Sequence, residues 1–254
     1  MKKTRADLLL FERGLVESRE RARALILAGR VYSGEARVEK AGVKIASEAP
    51  LEIRGELHPY VSRGGVKLEG ALRDLGVDPA EKIAADFGAS TGGFTDCLLR
   101  QGAARVYAID VGYGQLHPKL RGDERVVVME RVNARHLSEE SLPERVDLVV
   151  IDASFIGLEK LLPAAKAILG EGGEILAMVK PQFEVGREGL GKGGVVRDAE
   201  LRTQAIDGVE RAGIALGLIP LGRADAAIAG PKGNLEAFLR FKKPSSGSGS
   251  GQDT

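Results

Sequence analysis

The sequence predicts an α/β protein in which a doubly wound sheet follows a smaller N-terminal α+β module. Short apolar runs alternate with helical patterns from residue 83 onward, as in a sheet whose strands are joined by helices. A glycine-rich turn follows the first of these runs, where a nucleotide-sized ligand binds in such sheets. Residues 4–57 instead combine two helical patterns with brief β segments, which indicates a separate small domain.

Length and composition indicate a globular protein with one large and one small domain. The chain has 254 residues, 43% of them hydrophobic, and a mean hydropathy of −0.09. No apolar run is long enough to span a bilayer, and Asp7 and Glu12 interrupt any signal-peptide pattern. Cys97 is the only cysteine, which excludes an intrachain disulfide and a cysteine zinc cluster. We expect a cytoplasmic protein with Cys97 in its core.

Charge is distributed unevenly along the chain. The formal net charge is only +1, but residues 1–30 carry eight lysines and arginines against four acidic residues. A basic end on a near-neutral body indicates a polyanionic partner for that end.

Two helices are predicted at the basic end. The first runs over residues 4–13, with Thr4 as its N-cap and Gly14 after its end. The second begins at Glu17 or Ser18 and ends at Gly29. The spacing of apolar residues predicts their buried sides: Leu8, Leu9 and Phe11 in the first helix, and Ala22, Leu25 and Ile26 in the second.

The other side of the second helix carries Arg19 and Arg23 one turn apart, and Arg30 follows its end. Several arginines on one face can bind several phosphates. A charge run of this kind is also typical of a solvated surface, so the pattern alone leaves both interpretations open.

The order of residues in this region resembles the RNA-binding fold first described in ribosomal protein S-four. That family has a leucine-rich helix followed by G-L, S-R, A, L-I and G-x-V. Here these are Gly14-Leu15, Ser18-Arg19, Ala24, Leu25-Ile26 and Gly29-Arg30-Val31, while Tyr32-Ser33-Gly34 stands where the family has V-N-G. The resemblance covers about residues 4–57 and implies RNA binding, with one small sheet of strands near residues 31–32, 43–45 and 51–54. The candidate RNA-binding residues are Arg5, Arg19, Arg23, Arg30 and Arg63.

Pro59 marks a compact link between the two domains. We expect an N-terminal domain over residues 1–57, a linker over 58–61, a second domain over 62–242 and a flexible, serine- and glycine-rich tail over 243–254. The second domain opens with a helix from about Gly65 to Gly76. Lys67 lies in the first turn of this helix, where the helix dipole disfavours a cation. Lys67 is therefore either a functional residue or an ordinary surface lysine.

The rest of the second domain is predicted as alternating strands and helices. Amphipathic helices are expected at residues 158–169 and 201–212, with a turn at Gly172-Gly173. The glycine-rich segment 185–197 is predicted to be a mobile loop or lid. Strands are expected at residues 83–85, 105–109, 126–130, 147–151, 174–179, within 216–229 and at 234–241.

The glycine-rich turn has the features of a cofactor site, although a purely structural turn is the alternative. Gly88, Ser90 and Gly93 occupy the three positions of the dinucleotide fingerprint. Asp86 precedes the turn, and Asp110 ends the second strand, where a ribose places its hydroxyls. Serine at the second position disfavours a nicotinamide dinucleotide, and the pattern is similar to the first motif of the class I S-adenosylmethionine-dependent methyltransferases. The candidate cofactor-binding residues are Asp86, Gly88, Ser90, Thr91, Gly92, Gly93, Phe94, Thr95, Asp110, Val111, Asn133 and Asp152.

Two charged residues follow adjacent predicted strands. Asp152 ends the fourth strand and Lys180 ends the fifth, so both should lie in the crevice at the carboxyl ends of the parallel strands. Lys67 and Glu236 could join them there. Taken singly, Asp152 and Lys180 could form a structural ion pair, and Glu236 could be a charge on an edge strand.

In order and local context, Lys67, Asp152, Lys180 and Glu236 resemble the lysine-aspartate-lysine-glutamate tetrad of ribose 2′-O-methyltransferases. The second domain resembles the FtsJ-like group of that family. Together with the N-terminal domain, the chain resembles the TlyA group of ribosomal RNA methyltransferases over about residues 4–242. The resemblance implies a class I, Rossmann-like fold, S-adenosylmethionine as cofactor, ribosomal RNA or a ribosomal subunit as partner, and a catalytic role for these four residues.

Ribose methylation needs a group that takes the proton of the hydroxyl, and a lysine accepts a proton only in its neutral form. Lys180 is the candidate base, and Asp152 would orient it. Lys67 would draw the RNA phosphate or the hydroxyl oxygen, and Glu236 would hold Lys67 or the ribose. No metal is needed, and the three histidines show no metal-ligand spacing: His58, His117 and His136.

Four other functions are open at this point. An RNA-binding assembly factor with a non-catalytic cofactor site would have no use for two lysines and a carboxylate at strand ends. Some relatives in the TlyA group are labelled as membrane-active cytolysins. The absence of a long apolar segment from the sequence disfavours this function. Ser90 disfavours a nicotinamide reductase. A base methyltransferase would more often carry an aromatic-proline motif where Asp152-Ala153-Ser154-Phe155 stands.

Overall fold

The computed structural model describes residues 3–27, 29–54, 58–186, 189–191, 193–230 and 233–245. The chain divides into two units, Met1–His58 and Pro59–Thr254. The expected domain boundaries stay a prediction. Leu57, residues 246–254 of the predicted tail, and residues 187, 188 and 192 of the predicted lid lie outside the described residues.

The described residues of the first unit form two helices and two small sheets. The helices are α1 (Ala6–Glu12) and α2 (Arg19–Leu27), and they pack through a core that includes Ala6, Leu10, Ala22, Leu25 and Ile26. β1 (Lys3–Arg5) pairs antiparallel with β4 (Lys44–Ala46), while β2 (Val31–Ser33) pairs antiparallel with β3 (Ala36–Arg37) and with β5 (Glu52–Ile53). The prediction of one small sheet was therefore wrong, because the strand near residues 43–45 pairs with β1, a segment that the sequence pattern assigned to a helix.

The start and the buried side of α1 also differ from the prediction. The helix begins at Ala6 after Arg5, and Thr4 lies in β1, where its hydroxyl hydrogen-bonds to the Ser47 hydroxyl at 3.1 Å instead of capping the helix. Leu9 is buried as predicted, but Leu10 is buried instead of Leu8, and Phe11 is 45% exposed. Because Leu8-Leu9-Leu10 is continuous, local periodicity does not decide which leucines face the core.

The second unit is a seven-stranded sheet flanked by helices, which confirms the predicted fold class. The strand order is β11-β12-β10-β9-β6-β7-β8, with β8, β7, β6, β9 and β10 parallel and β12 antiparallel to both of its neighbours. The strands are β6 (Ile83–Phe87), β7 (Arg105–Asp110), β8 (Val126–Glu130), β9 (Val146–Ile151), β10 (Leu169–Val179), β11 (Ile219–Asp225) and β12 (Ala237–Lys242). The helices are α3 (Gly64–Asp74), α4 (Gly93–Arg100), α5 (Pro118–Arg121), α6 (Leu162–Ile168), α7 (Pro181–Glu184) and α8 (Ala199–Ala215).

The central strands are apolar because both faces of the sheet are covered. Along β9, Val149 and Ile151 face one core cluster, while Leu148 and Val150 face the other. Cys97, on α4, is fully buried in the second cluster, as expected. Among the helices of the described residues, none has the length and apolar character needed to cross a membrane.

Three predicted elements of the second unit have different bounds. The helix expected at residues 158–169 is a 3-10 turn at Leu158–Lys160 followed by α6, because Pro163 lacks a backbone N–H and fits only the first turn of a helix. The expected turn at Gly172-Gly173 lies inside β10, where the pairing with β9 shifts register between Leu169 and Glu174. The last strand begins at Ala237, so Glu236 precedes it.

Two glycines of α8 provide a test of this packing. A Cβ on Gly213 would lie 2.5 Å from a Phe241 ring atom, so Gly213→Ala should destabilise the protein by about 1–3 kcal/mol through overpacking. A Cβ on Gly208 would meet only a side-chain atom of Arg211 at 3.9 Å, so Gly208→Ala should stabilise the helix by about 0.5–1 kcal/mol. Urea unfolding followed by circular dichroism measures both. Equal effects of the two substitutions would contradict this account of the α8–β12 contact.

Candidate active site

The glycine-rich turn connects β6 to α4 through backbone conformations that favour glycine. Gly88 and Gly92 have φ values of +83° and +93°, and Ser90 has +49°. A Cβ on Gly88 would lie 2.8 Å from the Asp152 carbonyl oxygen, and one on Gly93 would lie 2.1 Å from the Ser62 hydroxyl oxygen. The residue after β6 is therefore packed directly against the residue after β9, and the start of α4 is packed against the start of α3.

Asp86 is fully buried at the end of β6, beside this turn. Its Oδ2 accepts hydrogen bonds from the Thr95 backbone N–H at 2.9 Å and the Thr95 hydroxyl at 2.7 Å. Its Oδ1 is buried and has no partner among the described residues. Burial raises the pKa of this carboxyl to about 7. The site thus presents an acceptor that a bound cationic or N–H group would satisfy.

Asp110, at the end of β7, holds the far side of the turn. Its Oδ2 accepts from the Ser90 backbone N–H at 2.8 Å, and its Oδ1 accepts from the Gly112 N–H at 2.6 Å. The first bond stabilises Ser90 in its left-handed conformation, and the second holds the segment after β7. Each carboxylate oxygen keeps a second lone pair, so Asp110 can still accept hydrogen bonds from ligand hydroxyls.

Two cavities meet at the turn and share Gly88, Ser90, Asp152 and Ser154. The larger, of about 460 Å³, is mostly apolar and runs from Asp110, Val111 and Asn133 to Phe155. The smaller, of about 220 Å³, is polar and contains Asp86. The smaller cavity is lined by these predicted site residues: Lys67, Asp86, Gly88, Ser90, Thr91, Gly93, Phe94, Asp152, Lys180 and Glu236.

Two predicted cofactor-binding residues, Gly92 and Thr95, line neither cavity. Thr95 is buried behind the turn and holds Asp86 in place. A Cβ on Gly92 would lie 2.2 Å from a Leu120 side-chain atom, so this glycine allows the turn to pack on α5. Both residues support the site without facing it.

The four charged residues form two ion pairs in the smaller cavity. The Lys180 Nζ lies 2.6 Å from the Asp152 Oδ1 and 2.9 Å from the Ser154 hydroxyl oxygen. The Lys67 Nζ lies 2.5 Å from the Glu236 Oε2. Lys67 and Lys180 are 7% and 9% exposed, so both ammonium groups are nearly desolvated.

Strand register explains why these residues meet. Ile151 pairs with Ala177 across the parallel β9–β10 ladder, which places the ends of both strands at one edge of the sheet. β12 runs antiparallel, and Val179 pairs with Ala237, so the residue before β12 lies beside the residue after β10. Glu236 and Lys180 therefore reach the same edge, and α3 supplies Lys67 from above it.

The buried carboxylates respond to their surroundings in different ways. Burial raises the pKa of Asp152, while the charge and hydrogen bond of Lys180 oppose that rise, as does the charge of Lys67. The Glu236 Oε1 is buried without a partner among the described residues. Gly230 packs so closely that a Cβ there would lie 2.2 Å from this oxygen. Glu236, which lines the cavity, thus carries a second acceptor without a partner in the described structure.

Sequence patterns did not indicate several residues of the two cavities. Ser62 and Gly64 line the smaller one, and Gln115 lines the larger. Phe155 is 90% exposed at the mouth of the larger cavity, with φ at +65° and its ring centroid 5.0 Å from that of Phe183. A bulky residue in the left-handed region is strained, which suggests a function, but no local pattern reveals it.

The predicted RNA-binding arginines are found in both units. In the first unit, Arg5, Arg19 and Arg23 surround the carboxylate of Asp7, and Arg30 donates from its Nε to the Arg54 carbonyl at 3.2 Å. In the second unit, Arg63 donates to the Ala229 carbonyl at 2.6 Å.

Comparison with known proteins identifies two family matches. Residues 60–243 match the FtsJ-like methyltransferase model, and residues 4–49 match the S4 domain model. The chain is 47% identical over 247 residues to YqxC of Bacillus subtilis, covering 97% of this chain and 88% of that protein. It is 45% identical over 239 residues to the 16S/23S rRNA (cytidine-2′-O)-methyltransferase TlyA of Mycobacterium tuberculosis, covering 94% and 89%. A solved structure of a Streptococcus thermophilus protein, described as a hemolysin candidate, is 41% identical with a TM-score of 0.75, covering 96% of this chain and 90% of that one.

The buried pair of Lys67 and Glu236 can be tested for its effect on stability. Glu236→Gln would leave the Lys67 ammonium buried without a carboxylate, so the free energy of unfolding should fall by about 3–5 kcal/mol. The double variant Lys67→Met, Glu236→Leu removes both charges and should recover most of that loss. The exposed pair of Asp207 and Arg223 is a matched control, because Asp207→Asn should cost about 1 kcal/mol or less. Chemical denaturation gives all values, and a loss in Glu236→Gln no larger than that in Asp207→Asn would contradict the prediction.

Proposed function

Since this chain belongs to the FtsJ-like methyltransferase family and to its TlyA group of ribosomal RNA methyltransferases, we propose that it methylates a ribose 2′-hydroxyl of ribosomal RNA. It is an RNA methyltransferase with S-adenosylmethionine as its methyl donor. The position of the methyl group on the ribose and the catalytic residues are the parts that we propose. The observation that carries the proposal is the convergence of two lysine–carboxylate pairs in one cavity beside Asp86.

The residues of the two cavities fit S-adenosylmethionine. The Oδ1 of Asp86 has no partner in the described structure and would accept from the ammonium group of the methionine part. Asp110 would accept from the ribose hydroxyls, and the apolar walls near Val111 and Asn133 would hold the adenine. When bound, the cofactor supplies a methyl group that is already activated by a sulfonium centre.

Two contacts of Lys180 support its proposed role as the general base. A neutral amine has two N–H donors and one lone pair. The contacts with Asp152 at 2.6 Å and Ser154 at 2.9 Å would occupy both donors, which leaves the lone pair for the proton of the ribose hydroxyl. The proton moves to the Lys180 Nζ, and Asp152 then stabilises the ammonium that forms.

Lys67 and Glu236 would orient the nucleotide. The Lys67 ammonium is fixed by the Glu236 Oε2, so its remaining N–H groups have a defined direction for the hydroxyl oxygen or a neighbouring phosphate. The second oxygen of Glu236 has no partner among the described residues, and we propose that it accepts from a ribose hydroxyl. Holding the hydroxyl in line with the methyl group should contribute much of the rate enhancement.

Phe155 offers an apolar surface for the base of that nucleotide. Phe155 is 90% exposed, and it directly follows Ser154, whose hydroxyl contacts Lys180. A ribose inside a helix cannot enter a cavity of this size, so the target nucleotide must leave its stack, and an aromatic ring replaces the lost stacking.

Cofactor affinity should increase with pH as Asp86 loses its proton. The pKa of this buried carboxyl is raised to about 7, so below that pH it is neutral and must release a proton to pair with an ammonium group. Affinity for S-adenosylmethionine should therefore rise about tenfold between about pH 6 and about pH 7.5. Isothermal titration calorimetry measures this. Asp86→Asn should bind more weakly and lose the pH dependence, and a flat profile for the unsubstituted protein would contradict the assignment.

Removal of the Lys180 amine tests the proposed function. Lys180→Ala should lower the rate of ribose methylation by about 10²–10⁴-fold, since the hydroxyl loses its base, while cofactor binding persists. The assay uses ribosomal subunits from cells lacking the gene, with 2′-O-methylation mapped by mass spectrometry. Lys82→Ala is the control, because Lys82 precedes β6 at the opposite edge of the sheet.

Unchanged methylation in Lys180→Ala would overturn the role of Lys180. A methyl group found on a base would overturn the ribose as acceptor. No methylation by the unsubstituted protein would instead favour an RNA-binding assembly factor.

A further inference from the structure

A single buried carboxylate in the first unit is surrounded by three arginines. Asp7 is fully buried in the first turn of α1. The Arg5 guanidinium binds it through two bonds, from Nε to Oδ1 at 3.0 Å and from a terminal nitrogen to Oδ2 at 3.1 Å. Arg19 and Arg23 each donate to the same Oδ2 at 3.2 Å. The Leu8 backbone N–H donates to Oδ1 at 3.0 Å.

This cluster contains more positive charge than a structural ion pair requires. One arginine and the helix N-terminus would balance one carboxylate, whereas here three cations share one anion. The arginine side chains are 45%, 40% and 52% exposed, so the carboxylate is hidden while the cations face solvent. The Arg19 Nε is buried without a partner among the described residues. The cluster is therefore a group of solvent-facing guanidinium groups that the buried Asp7 carboxylate holds together.

We propose that Asp7 is a positioning residue that holds Arg5, Arg19 and Arg23 in one fixed array for binding neighbouring phosphates of RNA. The proposal rests on the proposed function for the identity of the polyanion. Arginine side chains lose much rotamer freedom when they bind, and anchoring each one to Asp7 before binding removes most of that loss. Each guanidinium has five N–H donors and spends one or two on Asp7, so donors remain for phosphate oxygens.

The carboxylate is suited to this task because it stays ionised. Hydrogen bonds from Arg5, and then from Arg23 and Arg19, hold the pKa of Asp7 well below its usual range against the opposing effect of burial. Asp7 therefore keeps its charge around neutral pH, and the array does not switch there.

The expected change in RNA affinity on Asp7→Asn is opposite to the change that net charge alone predicts. Asp7→Asn removes a negative charge from an RNA-binding surface, which by charge alone should tighten binding. If Asp7 positions the arginines, the same change should weaken binding about tenfold and reduce the slope of log affinity against log salt by about one. Fluorescence anisotropy with a labelled RNA hairpin, titrated with the full chain at several salt concentrations, measures both quantities.

Glu12→Gln is the matched control, because Glu12 is an exposed acid on the same helix and its loss changes the net charge equally. We expect equal or tighter RNA binding by this variant. In a protein that also carries Arg5→Gln, Arg19→Gln and Arg23→Gln, Asp7→Asn should have no further effect on affinity. Binding by Asp7→Asn that is as tight as in the unsubstituted protein, or tighter, would overturn the proposal.

Arg23→Lys provides a second test if Asp7→Asn impairs folding of the first unit. Lysine keeps the charge on an exposed helix position but loses the Nε–H that contacts Asp7. RNA affinity should fall several-fold if fixed geometry matters, and affinity equal to that of the unsubstituted protein would overturn the proposal. These readouts involve affinity alone, so they are separate from the loss of ribose methylation that would contradict the proposed function.

Discussion

The antiparallel placement of β12 beside β10 is the constraint on which the candidate active site depends. A parallel strand in that position would begin at the opposite edge of the sheet, and Glu236 would lie far from the glycine turn. Because Val179 pairs with Ala237, the residue before β12 meets the residue after β10. Phe238 and Phe241 are fully buried, one in each of the two core clusters, so this register is stabilised by packing on both faces of the sheet. Glu236 then receives Lys67 from α3, and the four charged residues share one cavity.

The charged groups of that cavity lower the stability of the fold but are suited to binding. The attraction within a buried ion pair often does not offset the free energy of desolvating its two charges, and an unpaired buried acceptor lowers stability further. This cavity has two such pairs, and both Asp86 and Glu236 keep one oxygen without a partner in the described structure. Such an arrangement persists when its groups are completed by ligands. One open acceptor beside the glycine turn and another beside Lys67 are consistent with a site that receives two molecules, a cationic cofactor and a polyhydroxylic substrate.

Carboxylates organise cations in both units, but the two units do so differently. In the second unit each lysine is nearly desolvated and has its own carboxylate, which suits chemistry in a closed cavity. In the first unit one hidden carboxylate gathers three half-exposed arginines, which suits contact with an extended polyanion. Arginine is the better residue for contact with a polyanion, because its planar donors bind phosphate oxygens bidentately. Lysine is the better proton acceptor. The choice of cation in each unit thus follows from the work that we propose for it.

Local sequence pattern was sufficient for the parts of this protein that depend on neighbours in the chain. The apolar runs predicted the central strands, the glycines at 88, 92 and 93 predicted the turn, and Asp152 and Lys180 were identified as strand ends. The family resemblance, rather than spacing, linked Lys67 and Glu236 to them. Tertiary structure alone decided what depends on distant partners: the pairing of β1 with β4, the choice of Leu10 over Leu8 for the core, and the exposure of Phe155. Asp7 counted in the sequence only as one acidic residue in a basic segment, because charge composition contains no information on which side chains meet. Periodicity indicates which face of its helix or strand a residue occupies. Contacts between elements depend on residues that are distant in the sequence, so a local pattern does not reveal them.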